Sequence, residues 1–129
     1  MRHAITIFAV DDVARAARFY EAAVGARRRV DVGVYVELDL PDGPGVGVYE
    51  RAGFTKNFGR PNAPCAAGST TGTEIYFRVD DVGAAVTRAV AAGAAMLSPA
   101  AARPWGETVA YVADPDGNVL AFAMPSGGE

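Results

Sequence analysis

Along this chain, strand-like apolar runs give way twice to apolar residues at helical spacing. Ile5–Val10 reads as a short strand ending at Asp11-Asp12. Val13, Ala17, Tyr20 and Val24 then recur at helical spacing and form one apolar face. Asp12 can cap that helix, because its carboxylate accepts from the first free backbone N–H groups. Gly25 can close it, since glycine takes a positive φ at little cost. The pattern returns further on. A strand from Glu74 meets a second Val-Asp-Asp-Val tetrad at Val79, and Asp81 is placed to cap a helix. The second helix has its apolar face at Val82, Val86, Ala89 and Val90, and closes at Gly93.

A second pair of echoes follows each helix. Leu40-Pro41-Asp42-Gly43 and Asp114-Pro115-Asp116-Gly117 both place proline early in a turn and glycine late. Strand-like runs flank each turn, at Val34–Leu40 and Val46–Tyr49, then at Thr108–Val112 and Val119–Phe122, which reads as two hairpins. Two aligned landmarks make an internal repeat. Each copy reads strand, helix, then about three strands. The predicted fold class is α+β: two tandem β-α-β-β-β modules whose curved mixed sheets surround a concave site. Module one covers about 1–50 and module two 74–125, within a single domain over 1–129. Residues 51–73 connect them and are rich in Gly, Pro, Ser, Asn and Thr. So long a connection reads either as a functional lid or as a plain linker.

Composition narrows the function classes. Of 129 residues, 50% are hydrophobic and 21% charged, enough for a packed core. The net charge of −3 gives no long-range attraction for phosphates, and Arg27-Arg28-Arg29 is a short basic run that reads as a solvated strand entrance. No nucleic-acid partner is expected. No apolar stretch is long enough to span a bilayer, and Met1-Arg2-His3-Ala4 leads into the first strand without a signal-like apolar core. The single cysteine, Cys65, cannot form an intrachain disulfide, and the expected location is cytoplasmic.

The strand–Val-Asp-Asp-Val–helix opening with Phe19-Tyr20 and Gly25, and the closing Pro104-Trp105-Gly106-Glu107 with Tyr111 and Asp114-Pro115-Asp116-Gly117-Asn118, resemble the vicinal-oxygen-chelate superfamily. That superfamily holds glyoxalases, bleomycin-resistance proteins and extradiol dioxygenases; the closing segment is nearest the bleomycin-resistance branch. The resemblance covers nearly the whole chain. It implies that metal-using members draw one ligand from the first strand and one from the last strand of each half. Those positions here are Ile5, Gly47, Glu74 and Ala121. Only Glu74 could bind a metal, whereas catalytic sites usually take about three protein ligands. His3 lies on the side of Ile5 but about 7 Å along the strand, and Glu50 falls on the face opposite Gly47. The expectation is no catalytic metal and no cofactor.

Strand parity places Glu74, Tyr76 and Arg78 on one face, with Tyr49 on the side of Gly47. By resemblance, Val109 and Tyr111 line the pocket and Trp105 borders the ligand groove. Phe54 and Phe58 lie where they could close over the opening, while Ile5, Ile7 and Ala121 complete a wall. These residues imply an apolar, aromatic ligand. Glu74, if desolvated, would have a raised pKa and could shuttle a proton; its structural alternative is an ion pair with Arg78. For Trp105 the alternative is core packing or a dimer contact, and for the tyrosines an ordinary wall.

Three functions compete. One is a metal-free binding protein of the antibiotic-sequestering kind. Another is a lyase, isomerase or dioxygenase-type enzyme with Glu74 as base or residual metal ligand. The third is a non-catalytic partner-binding module. The mild net acidity leans towards a cationic ligand, and the resemblance implies a symmetric homodimer.

Overall fold

The computed structural model describes residues 1–127 and divides into two compact units, Met1–Pro64 and Cys65–Glu129. The first unit runs β1 (Ile5–Val10), α1 (Val13–Val24), β2 (Arg27–Asp31), β3 (Tyr35–Asp39), β4 (Gly45–Glu50) and α2 (Arg51–Lys56). The second runs β5 (Glu74–Arg78), α3 (Val82–Ala91), β6 (Ala95–Ala102), β7 (Glu107–Ala113) and β8 (Val119–Pro125). The sheets are ordered β1-β4-β3-β2 and β5-β8-β7-β6. In each, the first and last strands pair in parallel and the remaining pairs are antiparallel. The mixed sheets and the repeated β-α-β-β-β order are therefore as the sequence indicates. No helix among the described residues is long and apolar enough to cross a membrane.

Helices α1 and α3 begin as their aspartates require. Asp12 and Asp81 are extended, with φ of −135° and −142°, and their carboxylates accept from Arg15 N and Ala84 N, each at 3.0 Å. Gly25 ends α1 at φ 71°, where its N–H reaches Tyr20 O. The buried side of α1 is Ala16, Ala17, Phe19, Tyr20 and Ala23, with Val13 and Val24 only half-buried at its margin. Alanines let the helix axis come close to the sheet, and Tyr20 stacks on Phe8 of β1. In α3, Val82 and Ala89 are buried as expected, but Val90 is 42% exposed. Val82, Ala85, Val86 and Ala89 already complete a stripe at helical spacing, and Val90 turns away from it. In the second sheet Phe77 of β5 stacks on its neighbour Phe122 of β8.

The connection over 51–73 is not structureless, and it divides between the units. Its first part forms α2, whose Arg51 donates to Asp11 at 3.1 Å and to Asn62 at 2.5 Å, tying it to the end of β1. Gly53 gives the Tyr49 ring room; a Cβ there would meet Tyr49 Cε1 at 2.6 Å. The second part is stitched to the β7–β8 turn. Thr71 Oγ1 donates to Asn118 at 2.8 Å, and Val119 N donates to Thr73 O. Cys65 packs against Gly117, where a Cβ would lie 2.8 Å from its Sγ. In the turn itself Asp114 accepts from the N–H groups of Asp116 and Asn118, both at 2.9 Å. The turn is held by this buried carboxylate as well as by its proline and glycine.

The arginine run is exposed on β2 but not idle. Arg28 pairs with Glu21 and Asp31, and Arg29 with Glu37 and Asp39.

The two caps are equivalent in geometry, so Asp12→Ala and Asp81→Ala should each lower stability by about 1 kcal/mol. Urea unfolding followed by circular dichroism checks this, with an unchanged slope expected for both variants.

Candidate functional site

Each sheet carries its helix on one face. The strand registers identify what stands on the other. In the second unit Tyr76 lies beside Ala121, which lies beside Tyr111; Arg78 lies beside Ala123, which lies beside Val109. Val109, Ala121 and Ala123 form a fully covered floor of small side chains, with Tyr76 and Tyr111 packed against it. Val109 is thus a support beneath the aromatic residues, covered by its own neighbours.

Above this floor four side chains form one hydrogen-bonded chain. The Trp105 indole N–H donates to the Tyr76 hydroxyl at 2.8 Å, and that hydroxyl donates to Glu107 Oε1 at 2.7 Å. Arg78 Nε donates to Glu107 Oε2 at 2.9 Å, with Nη2 facing Oε1 at 3.5 Å. Local structure sets this up. Gly106 takes φ 91° in the tight turn between β6 and β7, and Arg103 N–H bonds to Glu107 O, closing the turn that carries Trp105. Glu107 begins β7, two residues before Val109, so it points to the same face. The Arg78 side chain is 75% exposed and the Glu107 side chain only 13%. Arg78 and Tyr76 hold the Glu107 carboxyl below its ordinary value, because both donate to the charged form. Burial raises the Tyr76 phenol, and its bond to Glu107 adds to this. Next to this group the Arg103 guanidinium lies 5.1 Å from the Tyr111 ring centroid and donates to Ser98 Oγ and Val109 O. Its Nε is buried and has no hydrogen-bond partner among the described residues.

The structure therefore brings together Tyr76, Arg78 and Trp105 through Glu107. Arg78 bonds to Glu107 rather than to Glu74, so the alternative of a Glu74–Arg78 pair is not what forms. Glu74 is exposed at the start of β5, outside this network. Glu107 was legible as the next same-face residue before Val109, and Arg103 only through the turn that folds it back over Tyr111.

In the first unit an aromatic series crosses from the sheet to α2. Tyr35 meets Tyr49 at 5.4 Å between centroids, Tyr49 meets Phe54 at 6.4 Å, and Phe54 meets Phe58 at 5.3 Å, all edge to face. Phe54 and Phe58 thus extend a series begun by the sheet, and Phe58 at its end is 53% exposed. Tyr35 is the member that sequence reasoning missed, though it alternates with Glu37 along β3. Its hydroxyl donates to Glu37 at 2.8 Å, and burial raises its phenol. Its ring covers Gly47: a Cβ at that position would fall 2.6 Å from the Tyr35 oxygen. Glu50 projects from the opposite face of β4, as parity requires, and borders an open cleft of about 540 Å³ beside α2. His3 Nε2 lies 3.1 Å from Thr6 Oγ1 and is exposed.

A family model described as a glyoxalase-like domain matches residues 5–123. The chain belongs to this family. Its fold is the vicinal-oxygen-chelate fold, shared with solved structures from glyoxalase and bleomycin-resistance relatives. A glyoxalase-related enzyme from Fulvimarina pelagi has a TM-score of 0.82 at 24% identity, over 99% of this chain and 94% of that one. A glyoxalase/bleomycin resistance protein/dioxygenase from Nocardioides has 0.80 at 17%, over 100% and 86%. TioX from Micromonospora sp. ML1 has 0.69 at 25%, over 98% and 100%. No curated protein matches the chain.

The family positions for a metal can now be tested against the side chains. In the first unit Ile5 offers no donor atom, and at Gly47 the space for a side chain holds the Tyr35 ring. In the second, Ala121 is fully buried in the floor and Glu74 alone carries a ligating group. The residues at these positions do not fit a divalent ion. Among the described residues no group of three or more His, Cys, Asp or Glu is arranged to hold one.

Glu107 is held ionised, so the sign of its contribution is set. The stability from its lowered pKa is present above the ordinary carboxylate value and is lost as pH falls through the lower folded value. In Glu107→Gln that term is gone. Melting temperatures from about pH 7 to about pH 3 should show the wild type ahead at neutral pH and the gap closing in acid.

Proposed function

We propose that this glyoxalase-like chain is a metal-free small-molecule-binding protein that holds an aromatic ligand on the open face of its second sheet, in the antibiotic-sequestering manner. One observation carries the reading. Trp105 is 55% exposed, yet its single N–H is already spent on Tyr76. The indole is thereby tied to Tyr76 at its one polar atom, and what it presents outward is an apolar ring. An exposed aromatic beside polar groups is how a binding surface gains stacking area. The lack of ligating side chains at Ile5, Gly47 and Ala121 supports binding without a metal. Tyr111 is proposed as a further contact on this face, and Tyr49 and Phe54 as ligand contacts of the aromatic surface of the first unit.

The reading of an enzyme with Glu74 as base requires that carboxylate to be desolvated, and it is exposed on β5. The binding reading therefore takes precedence, with cytoplasmic residence and a symmetric homodimer as parts of the same proposal. Light scattering on a sizing column at micromolar protein should give twice the chain mass; a single-chain mass overturns the dimer.

Metal analysis of the purified protein, with melts in chelator and in excess Ni, Zn, Mn, Fe(II) or Co, tests the metal-free reading. Neither bound metal nor a shift is expected, because an ion bound by the native state would raise the melting point by mass action. About one ion per chain with a raised melting point overturns it. Trp105 is the sole tryptophan, so its fluorescence reports any aromatic ligand on this face directly.

A further inference from the structure

Resting on that binding reading, we infer that the ligand taken by the second sheet is a planar aromatic carboxylate, its ring against Trp105 and its carboxylate on the end-on edge of Arg78. The hydrogen-bonding inventory of the face points this way. Glu107 is the carboxylate that Tyr76 links to Trp105, and it is mostly covered and occupied, accepting from Tyr76 and from both Nε and Nη2 of Arg78. It offers little to a cationic ligand. Arg78 is the opposite case. A guanidinium has five N–H groups in a rigid fork with a side-on and an end-on edge. Glu107 takes the side-on edge, through Nε and Nη2, which fixes the plane of the fork. The end-on edge, with Nη1 and the second Nη2 hydrogen, has no partner among the described residues, on a side chain that is 75% exposed. That edge matches a carboxylate in two parallel bonds.

The other groups agree. Trp105 has no donor left to give and presents its ring. The Arg103 guanidinium over Tyr111 adds a second positive charge to the same face, and its Nε finds no acceptor among the described residues. Donors thus outnumber acceptors around Trp105. Glu74 is the exposed acid on this face, about 13 Å further along β5 than Arg78. The positive end of the face is therefore the end that carries the indole. The net charge of −3 favours cations in general, but charges beyond about 8–10 Å are largely screened in physiological salt. Glu107 offsets one of the two arginines, and the single positive charge left over sets the sign at the site. Glu107 acts as a positioning residue, aiming Arg78.

Three probes of one shape separate the possibilities: 2-naphthoate, 2-naphthamide and 2-naphthylmethylammonium, titrated by calorimetry into the full chain. Naphthoate should bind about tenfold more tightly than the amide, the increment expected of a charge-assisted pair, with the ammonium weakest. Arg78→Gln should abolish that preference and Arg78→Lys restore part of it, with unchanged circular dichroism showing that both variants fold. Trp105→Ala should weaken all three probes together. Equal or tighter binding of the amide or the ammonium, or a naphthoate preference that survives Arg78→Gln, overturns the anionic ligand while leaving an aromatic-binding face. Failure of all three probes at millimolar concentration, or binding indifferent to Trp105→Ala, overturns the binding face itself and this inference with it.

Discussion

A four-stranded sheet covered by one helix has two unlike faces, and everything in this protein follows from that asymmetry. The pleat sends alternate side chains to opposite sides. Phe8, Val10, Val36, Leu38, Val46 and Val48 go under α1 and are buried. The alternate residues, among them Tyr35, Gly47 and Tyr49, are left on the other side. In the second sheet Val112, Leu120 and Phe122 go inward, and Tyr76, Arg78, Glu107 and Tyr111 stand on the face without a helix. Burial of the first set supplies the bulk of the driving force. It also fixes the register that lines up the second set, since a slip by one residue would exchange the two faces.

On the open faces the two sheets use the same device, a tyrosine hydroxyl donating to a glutamate that is also paired with an arginine. In the first it is Tyr35, Glu37 and Arg29; in the second, Tyr76, Glu107 and Arg78. The consequences differ. Tyr35 is laid across Gly47 and fills the space of the absent side chain, so the first face becomes aromatic where a metal-using relative would place a ligand. Tyr76 is laid between Trp105 and Glu107, so the second face gains an indole and a guanidinium joined through one carboxylate. A buried polar group must find a partner or destabilise the fold. Here satisfying Glu37 and Glu107 also sets the direction of every aromatic ring they hold.

The connection between the modules shows the limit of compositional reading. Gly, Pro, Ser and Asn mark it as a break between repeats. They do not show that α2 is tied by Arg51 to the end of β1, or that Thr71 and Cys65 are tied to the β7–β8 turn. Those bonds join residues far apart in sequence, and no local propensity encodes them.

The sequence by itself determined the repeat, the caps at Asp12 and Asp81, the turns, the parity of each strand, and hence the face on which Tyr76, Arg78 and Tyr111 lie. These are local properties, set by backbone preference and by period. It also determined that Ile5, Gly47 and Ala121 have no donor atoms. Only the tertiary structure decided which partners meet: that Arg78 pairs with Glu107 and leaves Glu74 exposed, that the Trp105 N–H is spent on Tyr76, and that the Tyr35 ring covers Gly47. Each depends on strand register, turn geometry and the side-chain torsions that satisfy a half-buried carboxylate. Those choices are made across the sheet, between residues whose separation in sequence carries no record of them.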